Sequence, residues 1–387
     1  MITHGDAEQR IASWLQATPD ADAQRVLADA LELSRHAPQA RGLRSRLRAT
    51  TMVPLTTAAA LAIVGVLVGV GFPRTAVPPV SGIGSIRGTS WVDSGDVAVT
   101  VEHAAGDNGR YYLRAVAYDR IEPDGYRIGD SRTAVRPAGT SLLQGTADDV
   151  GAGDLQRVTL TIVPGSFTSP IVLSPATPVL VDRSVRLTAV GQDGYFAQLE
   201  RDGHGPYTVT AVLPPVGVPI LRAPDPTYPL DLVTTYTALP PQAVGPNLAR
   251  LRDEVVRTAA SGGPYDLANR IVEILQSPRF TYETDLHDVD CGSMSVAECF
   301  ATSHRGFCVQ YAVTMAVILR DLRIPARIVE GFLPGRSDTA SNTETILSRD
   351  AHAWVEVYFT GVGWVAFDPT SAVGSQSRSV APAPTGP

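Results

Sequence analysis

The 387-residue chain contains no lysine, so all 32 of its basic side chains are arginine. That absence removes every side-chain amine, and with it Schiff-base chemistry on an internal lysine. Positive charge is short overall, because 39 carboxylates leave a formal net charge of -7. A nucleic-acid binder needs a basic face to neutralise phosphates, so no nucleic-acid partner is expected. Cysteine is equally scarce: the chain has only Cys291, Cys299 and Cys308. No Cys-x-x-Cys pair or matched histidine spacing accompanies them, as a zinc site would require. A zinc site joining Cys291 and Cys299 to His287 or His304 is the metal alternative, and spacing gives it no support. The expectation is therefore no metal and no cofactor.

What the sequence does have is enough apolar residue, 44% against 18% charged, to build ordinary folded domains. Its clearest physical feature is the uncharged run Met52–Phe72, MVPLTTAAALAIVGVLVGVGF. At helical rise this run spans a hydrocarbon core of roughly 30 Å. Arg35, Arg41, Arg44, Arg46 and Arg48 precede it, whereas only Arg74 and Arg87 follow closely. That asymmetry puts the N-terminus in the cytoplasm and everything after residue 72 outside. A cleaved signal peptide is the competing reading, but some fifty residues stand before the run. The expected product is a single-pass membrane protein of the cell envelope.

Around this anchor the chain divides by pattern. Residues 1–50 read as a cytoplasmic helical segment, 51–72 as the transmembrane helix and 73–87 as a proline-rich linker. A segment as short as residues 1–48 rarely folds alone, which makes a cytoplasmic partner possible. Residues 88–240 carry period-two stretches such as DVAVTVEH, YYLRAVAYDR, RVTLTIVPG, VRLTAVG and YTVTAVLPP. Short alternating strands broken by Gly, Pro, Asp and Asn predict a β-rich sandwich or barrel-like domain. Residues 241–371 change character: NLARLRDEVVRTAA, YDLANRIVEILQ and CVQYAVTMAVILR have helical spacing, and ARIVEGFLPG, AHAWVEVYF and GWVAFDPT alternate like strands. Helices followed by an antiparallel sheet define an α+β domain. Residues 372–387 lack apolar periodicity and read as a disordered tail.

Chemistry concentrates in the α+β part. Cys308 follows Arg305, Gly306 and Phe307 at the expected start of a helix. There a thiol meets the positive end of the helix dipole and backbone donors that could also hold an oxyanion. On the helix alone, a small buried core cysteine is at least as good a reading. A nucleophilic cysteine needs a base, and the base needs an orienting group. His352 opens AHAWVEVYF and Asp368 ends GWVAFD, with TGVG between the strands. A hairpin centred near Thr360 sets 352 opposite 368, each eight positions away, on one face with Trp354, Trp364 and Ala366. Taken singly, a strand histidine is usually structural and an aspartate before proline usually forms a turn. Trp354, Glu356 and Trp364 could line a groove, but packing is the better expectation. The polar stretch PGRSDTASNTETILS, residues 334–348, reads as a substrate-contacting loop close to this site or as a surface connection, and its length favours the loop.

The blocks RGFCVQYAVTMAVILRDLRIPARIVEGFLPG, DAHAWVEVYF and GWVAFDPT resemble the transglutaminase-like superfamily, particularly its bacterial membrane-anchored branch. The resemblance covers roughly residues 265–371, and YLRAVAYDRIEPDGYRIGD is similar, more weakly, to the outer β-region of such proteins. It implies a papain-like fold in which Cys308 is the nucleophile, His352 the general base and acid, and Asp368 the orienting carboxylate. Two departures stand out. Larger relatives carry bundles of membrane helices where this chain has one, and Arg323 replaces the usual glycine before Ile-Pro-Ala-Arg, which suggests a different helix ending. In an extracytoplasmic setting, three cysteines divide naturally into a Cys291–Cys299 disulfide and one free thiol. The expected function is a membrane-anchored, extracytoplasmic, cysteine-dependent acyl transferase or hydrolase. It would act on peptide or amide bonds of an envelope peptide or protein through a thioester on Cys308. The alternative is a catalytically silent binding or scaffolding module.

Overall fold

The period-two segments do form antiparallel strands, and the segments with helical spacing form helices. The computed structural model describes residues 95–129, 131–142, 156–190, 194–200, 205–214, 218–222 and 227–370. All of these belong to one of the chain's two units, Phe72–Pro387. The run Met52–Phe72, the cytoplasmic segment, the linker and the tail lie outside the described residues. No helix among the described residues is long and apolar enough to cross a membrane.

In chain order the first strands are β1 (Val97–His103), β2 (Leu113–Tyr118), β3 (Arg120–Glu122), β4 (Gly125–Arg127) and β5 (Ser131–Arg136). Next come β6 (Arg157–Pro164), β7 (Thr177–Val181), β8 (Val185–Val190), β9 (Gly194–Leu199) and β10 (Tyr207–Val212). Helices α1 (Val218–Leu221), α2 (Leu230–Tyr236), α3 (Pro246–Thr258) and α4 (Pro264–Leu275) follow. Then come β11 (Thr281–Tyr282), α5 (Val296–Ser303), β12 (Arg305–Gly306) and α6 (Cys308–Asp321). The last strands are β13 (Ala326–Phe332), β14 (Arg336–Asp338), β15 (Thr343–Leu347), β16 (Ala351–Phe359) and β17 (Gly363–Phe367).

Two sheets trade strands across the boundary expected at residue 240. The four-stranded sheet has the order β17-β16-β13-β2, so its outer strand comes from the upstream region. The six-stranded sheet has the order β14-β15-β1-β6-β10-β7, so its outer hairpin comes from the downstream region. Residues 334–348 are thus not a free connection near the site: they contribute an edge hairpin whose β15 pairs with β1 from Val97↔Leu347 to Glu102↔Thr343. One hydrophobic cluster runs through both regions, taking in Val99, Leu113, Leu160, Phe332, Ile318 and Val355. A third, three-stranded sheet has the order β5-β8-β9.

Helix α6 is apolar almost all round and is buried on nearly every side, as a core helix must be. Its last turn carries a buried cation. Arg320 donates to the carbonyls of Ala326 at 2.9 Å, Ala238 at 3.0 Å and Asp119 at 3.0 Å. Burial pulls its pKa down to about 10, so it stays charged at neutral pH and ties α6 to the upstream chain through Asp119. Arg323 takes the left-handed conformation, φ 62°, that the usual glycine would take, and its N–H reaches the Arg320 carbonyl at 3.0 Å. The helix thus ends on an arginine that tolerates backbone strain glycine would avoid.

Strand exchange has a measurable consequence. A fragment of residues 241–371 lacks β2, whose Leu113 and Val116 are buried against β13, and leaves β15 without β1. Each buried side chain of that size is worth about 1.5–3 kcal/mol, and the β13 edge would be left unpaired. The 241–371 fragment should show no cooperative thermal transition, whereas residues 95–370 should unfold cooperatively. A sharp transition in the short fragment would contradict the exchange.

Candidate active site

Local sequence explains how Cys308 reaches its place. Helix α5 ends at His304, φ 57°, and Arg305–Gly306 then pairs in parallel with Thr281–Tyr282. Gly306 is needed because a Cβ there would lie 2.8 Å from Gln310 Cβ and 2.9 Å from the Phe300 ring. Phe307 is extended, φ -113° and ψ -174°, and Cys308 begins α6. The Gln310 side chain closes this start by accepting from the Phe307 N–H at 3.1 Å. The thiol is fully buried and free. Cys291 and Cys299, eight residues apart, form a disulfide just upstream. Both sulfurs are therefore unavailable as metal ligands, and of the two histidines His287 bonds Asp285 while His304 packs edge-on against Phe280. No group of three or more metal-ligating side chains occurs among the described residues.

The β16–β17 hairpin turns through Gly361, φ 79°, and Gly363, φ 93°. Its pairs run from Phe359↔Gly363 to Val355↔Phe367, so it is centred on position 361 rather than 360. The expected direct opposition of 352 and 368 is corrected accordingly: continuing the register one step sets Asp368 against Trp354, diagonal to His352. A shift of two positions preserves the face, and a diagonal neighbour is still within reach of long side chains. His352 Nε2 meets Asp368 Oδ2 at 2.9 Å.

Asp368 divides its two oxygens. Oδ1 accepts the Thr370 N–H at 2.9 Å and closes an Asx turn, the ordinary work of an aspartate before proline. Oδ2 accepts His352 Nε2 at 2.9 Å and the Tyr112 hydroxyl at 3.0 Å. Burial opposes ionisation of the carboxyl, but the imidazole and the Thr370 hydrogen bonds outweigh it and hold the pKa below the usual range. Gln276, at the end of α4, donates to the backbone carbonyls of Asp368 at 3.0 Å and Thr370 at 3.2 Å, which fixes the turn from below.

His352 is 1% exposed. Burial disfavours its charge, yet the Asp368 carboxylate and the neighbouring Cys308 sulfur prevail and raise its pKa to about 9. With Nε2 engaged, Nδ1 is the ring atom left for the sulfur; it is buried and makes no hydrogen bond of normal geometry. The three residues expected at the site are thus brought together. Trp354 packs with Ala117 and Val329, while Glu356 pairs with Arg327 Nε at 2.7 Å under the Trp364 ring, so these side chains are core.

Sequence reasoning missed Tyr112, Gln276, Thr370 and Glu330. Only Thr370 left a local signal, in Asp-Pro-Thr. Glu330 lies buried on β13 between the hydroxyls of Tyr118 at 2.7 Å and Tyr126 at 2.6 Å. Burial raises its pKa to about 7 even though both tyrosines stabilise its anion. Tyr126 is also close enough to Cys308 for the two to interact electrostatically.

These pKa directions can be tested. Asp368→Asn removes the larger of the two interactions that offset burial, so His352 should titrate well below about 9. Histidine-labelled NMR reads this directly, and a titration still near 9 would contradict the pairing. In the parent, the raised pKa contributes stability that is fully present below about 6.5 and is lost as pH rises through about 9.

Residues 251–369 match the family model described as the transglutaminase-like superfamily. An uncharacterised Bacillus subtilis (strain 168) protein, YebA, is 34% identical over 111 residues, which are 27% of this chain and 15% of that protein. A Pseudomonas aeruginosa protein-glutamine gamma-glutamyltransferase is 33% identical over 133 residues, 34% of this chain and 19% of that protein. The chain therefore spans less than a fifth of the length of these two curated relatives. Its fold resembles the crystal structure of the periplasmic domain of TgpA from Pseudomonas aeruginosa, with a TM-score of 0.54 and 20% identity over 77% of this chain and 94% of that one. Residues 251–369 thus form a transglutaminase-like superfamily segment within the chain.

Proposed function

We propose that this protein is a membrane-anchored, extracytoplasmic acyl transferase in which Cys308, His352 and Asp368 act as a triad on an amide of an envelope peptide or protein. The observation that carries this reading is the 2.9 Å contact between His352 Nε2 and Asp368 Oδ2, with the free Cys308 thiol beside the same ring. The Cys308 sulfur attacks the amide carbonyl carbon while His352 holds the thiol proton. The C–N bond breaks, the imidazolium delivers that proton to the leaving amine, and a thioester remains. An acceptor amine, or water, then attacks the thioester with His352 as base and restores the thiol. The start of α6 supplies backbone dipoles to the oxyanion.

The name of the Pseudomonas relative, a protein-glutamine gamma-glutamyltransferase, favours a glutamine side chain as donor and an amine as acceptor. The periplasmic setting of the TgpA domain and the arginine asymmetry around Met52–Phe72 support the extracytoplasmic placement. Full burial of Cys308 is the one observation that favours the rival reading, a silent scaffolding module.

The same assay decides between them. The full chain in lipid nanodiscs, given carbobenzoxy-glutaminyl-glycine and hydroxylamine, should release ammonia and form the hydroxamate. Ammonia without hydroxamate would indicate hydrolysis. Cys308→Ala and His352→Ala should abolish turnover, and Asp368→Asn should slow it by about 10³-fold or more. Activity should fall as pH rises through about 9, because a neutral His352 cannot protonate the leaving amine. Parent and Cys308→Ala behaving alike would sink the catalytic reading.

A further inference from the structure

We infer that Tyr112, supplied by the upstream β-region, is a positioning residue of the active site that fixes the Asp368 carboxylate for His352. This rests on the triad proposed above. Tyr112 lies outside residues 251–369, the segment that matches the family model, and 256 positions before Asp368. Its hydroxyl donates at 3.0 Å to Asp368 Oδ2, the oxygen that also receives His352 Nε2. Its ring packs edge-on against Trp354, centroids 5.2 Å apart, and stands 6.5 Å from the His352 ring. One side chain therefore bonds the carboxylate, packs on the indole and stands beside the imidazole.

The backbone places it there. Tyr112 immediately precedes β2, and β2 pairs with β13 through Phe332↔Leu113 and Gly331↔Arg114. Gly331 pairs on its other side with His352. A Cβ on Gly331 would lie 2.0 Å from the Leu113 carbonyl oxygen and 2.9 Å from Trp354. The glycine thus allows the start of β2 to close on β13 at the rung occupied by His352, which delivers the phenol to Asp368. With the Thr370 amide on Oδ1, the Tyr112 hydroxyl on Oδ2 leaves the carboxylate one orientation, the one that aligns the imidazole.

Tyr112→Phe removes the hydroxyl and keeps the ring packing. In the full chain, hydroxamate formation should fall about tenfold in kcat with KM unchanged, as for loss of a hydrogen bond to a charged group. In an Asp368→Asn background the same substitution should cost nothing further, because Tyr112 acts through the carboxylate. A merely structural tyrosine would cost the same in both backgrounds, and that result, or an unchanged kcat, overturns the inference. A second readout does not need activity. Loss of the competing donor leaves the Oδ2 charge to the imidazolium, so NMR should show the His352 titration moving upward in Tyr112→Phe. An unchanged titration overturns the role of Tyr112, whereas an inactive parent with a shifted titration overturns only the acyl-transfer reading.

Discussion

The constraint on which the site depends is the burial of a charged imidazole. His352 is almost wholly removed from water, where its cation would ordinarily be expelled. It keeps a pKa of about 9 because burial is outweighed by the Asp368 carboxylate 2.9 Å away and by the Cys308 sulfur. Removing one member of such a pair leaves an uncompensated charge, so every group that orients Asp368 becomes part of the same balance. The Asx turn to Thr370, the Gln276 amide under the turn and the Tyr112 phenol all serve to hold one carboxylate in one direction. Cys308 is placed independently, by the tight packing of Gly306 against Phe300 and Gln310 at the head of a core helix.

The second organising feature is the interleaving of the two sheets. Strand β2 completes the sheet that carries His352, and the β14–β15 hairpin completes the upstream one. Arg320 adds a buried link from α6 to Asp119 through carbonyl oxygens. Buried carbonyls and a guanidinium satisfy each other's hydrogen bonds, which is how this cation is tolerated in a core. The β-region is therefore not an appendage to the superfamily segment: it supplies a strand and a tyrosine to the same site.

Much of this was legible in the sequence, for physical reasons that can be named. AHAWVEVYF became β16 with the same ends because its alternation and flanking signals agree. His352 and Asp368 were expected on one face, and they are, even though the turn was placed one residue early. A register error of two positions does not change side-chain parity. The opposing readings of Asp368, turn former or orienting carboxylate, were not exclusive, because the residue has two oxygens. Tyr112 was illegible because a contact across 256 residues depends on strand exchange, which leaves no local pattern. The same holds for residues 334–348, whose polar composition hides an edge hairpin. Glu330 was passed over because an acidic residue in ARIVEGF gives no sign of the two tyrosines that receive it.

The central claim is that the acyl group passes through Cys308 itself. Mass spectrometry of the full chain, quenched in acid within the first turnover on a glutaminyl peptide, tests it most directly. The account predicts an adduct on the Cys308 peptide equal to the donor's mass less one ammonia, cleaved by hydroxylamine as a thioester should be. Turnover with Cys308 unmodified, or the acyl group carried on another residue, would contradict it.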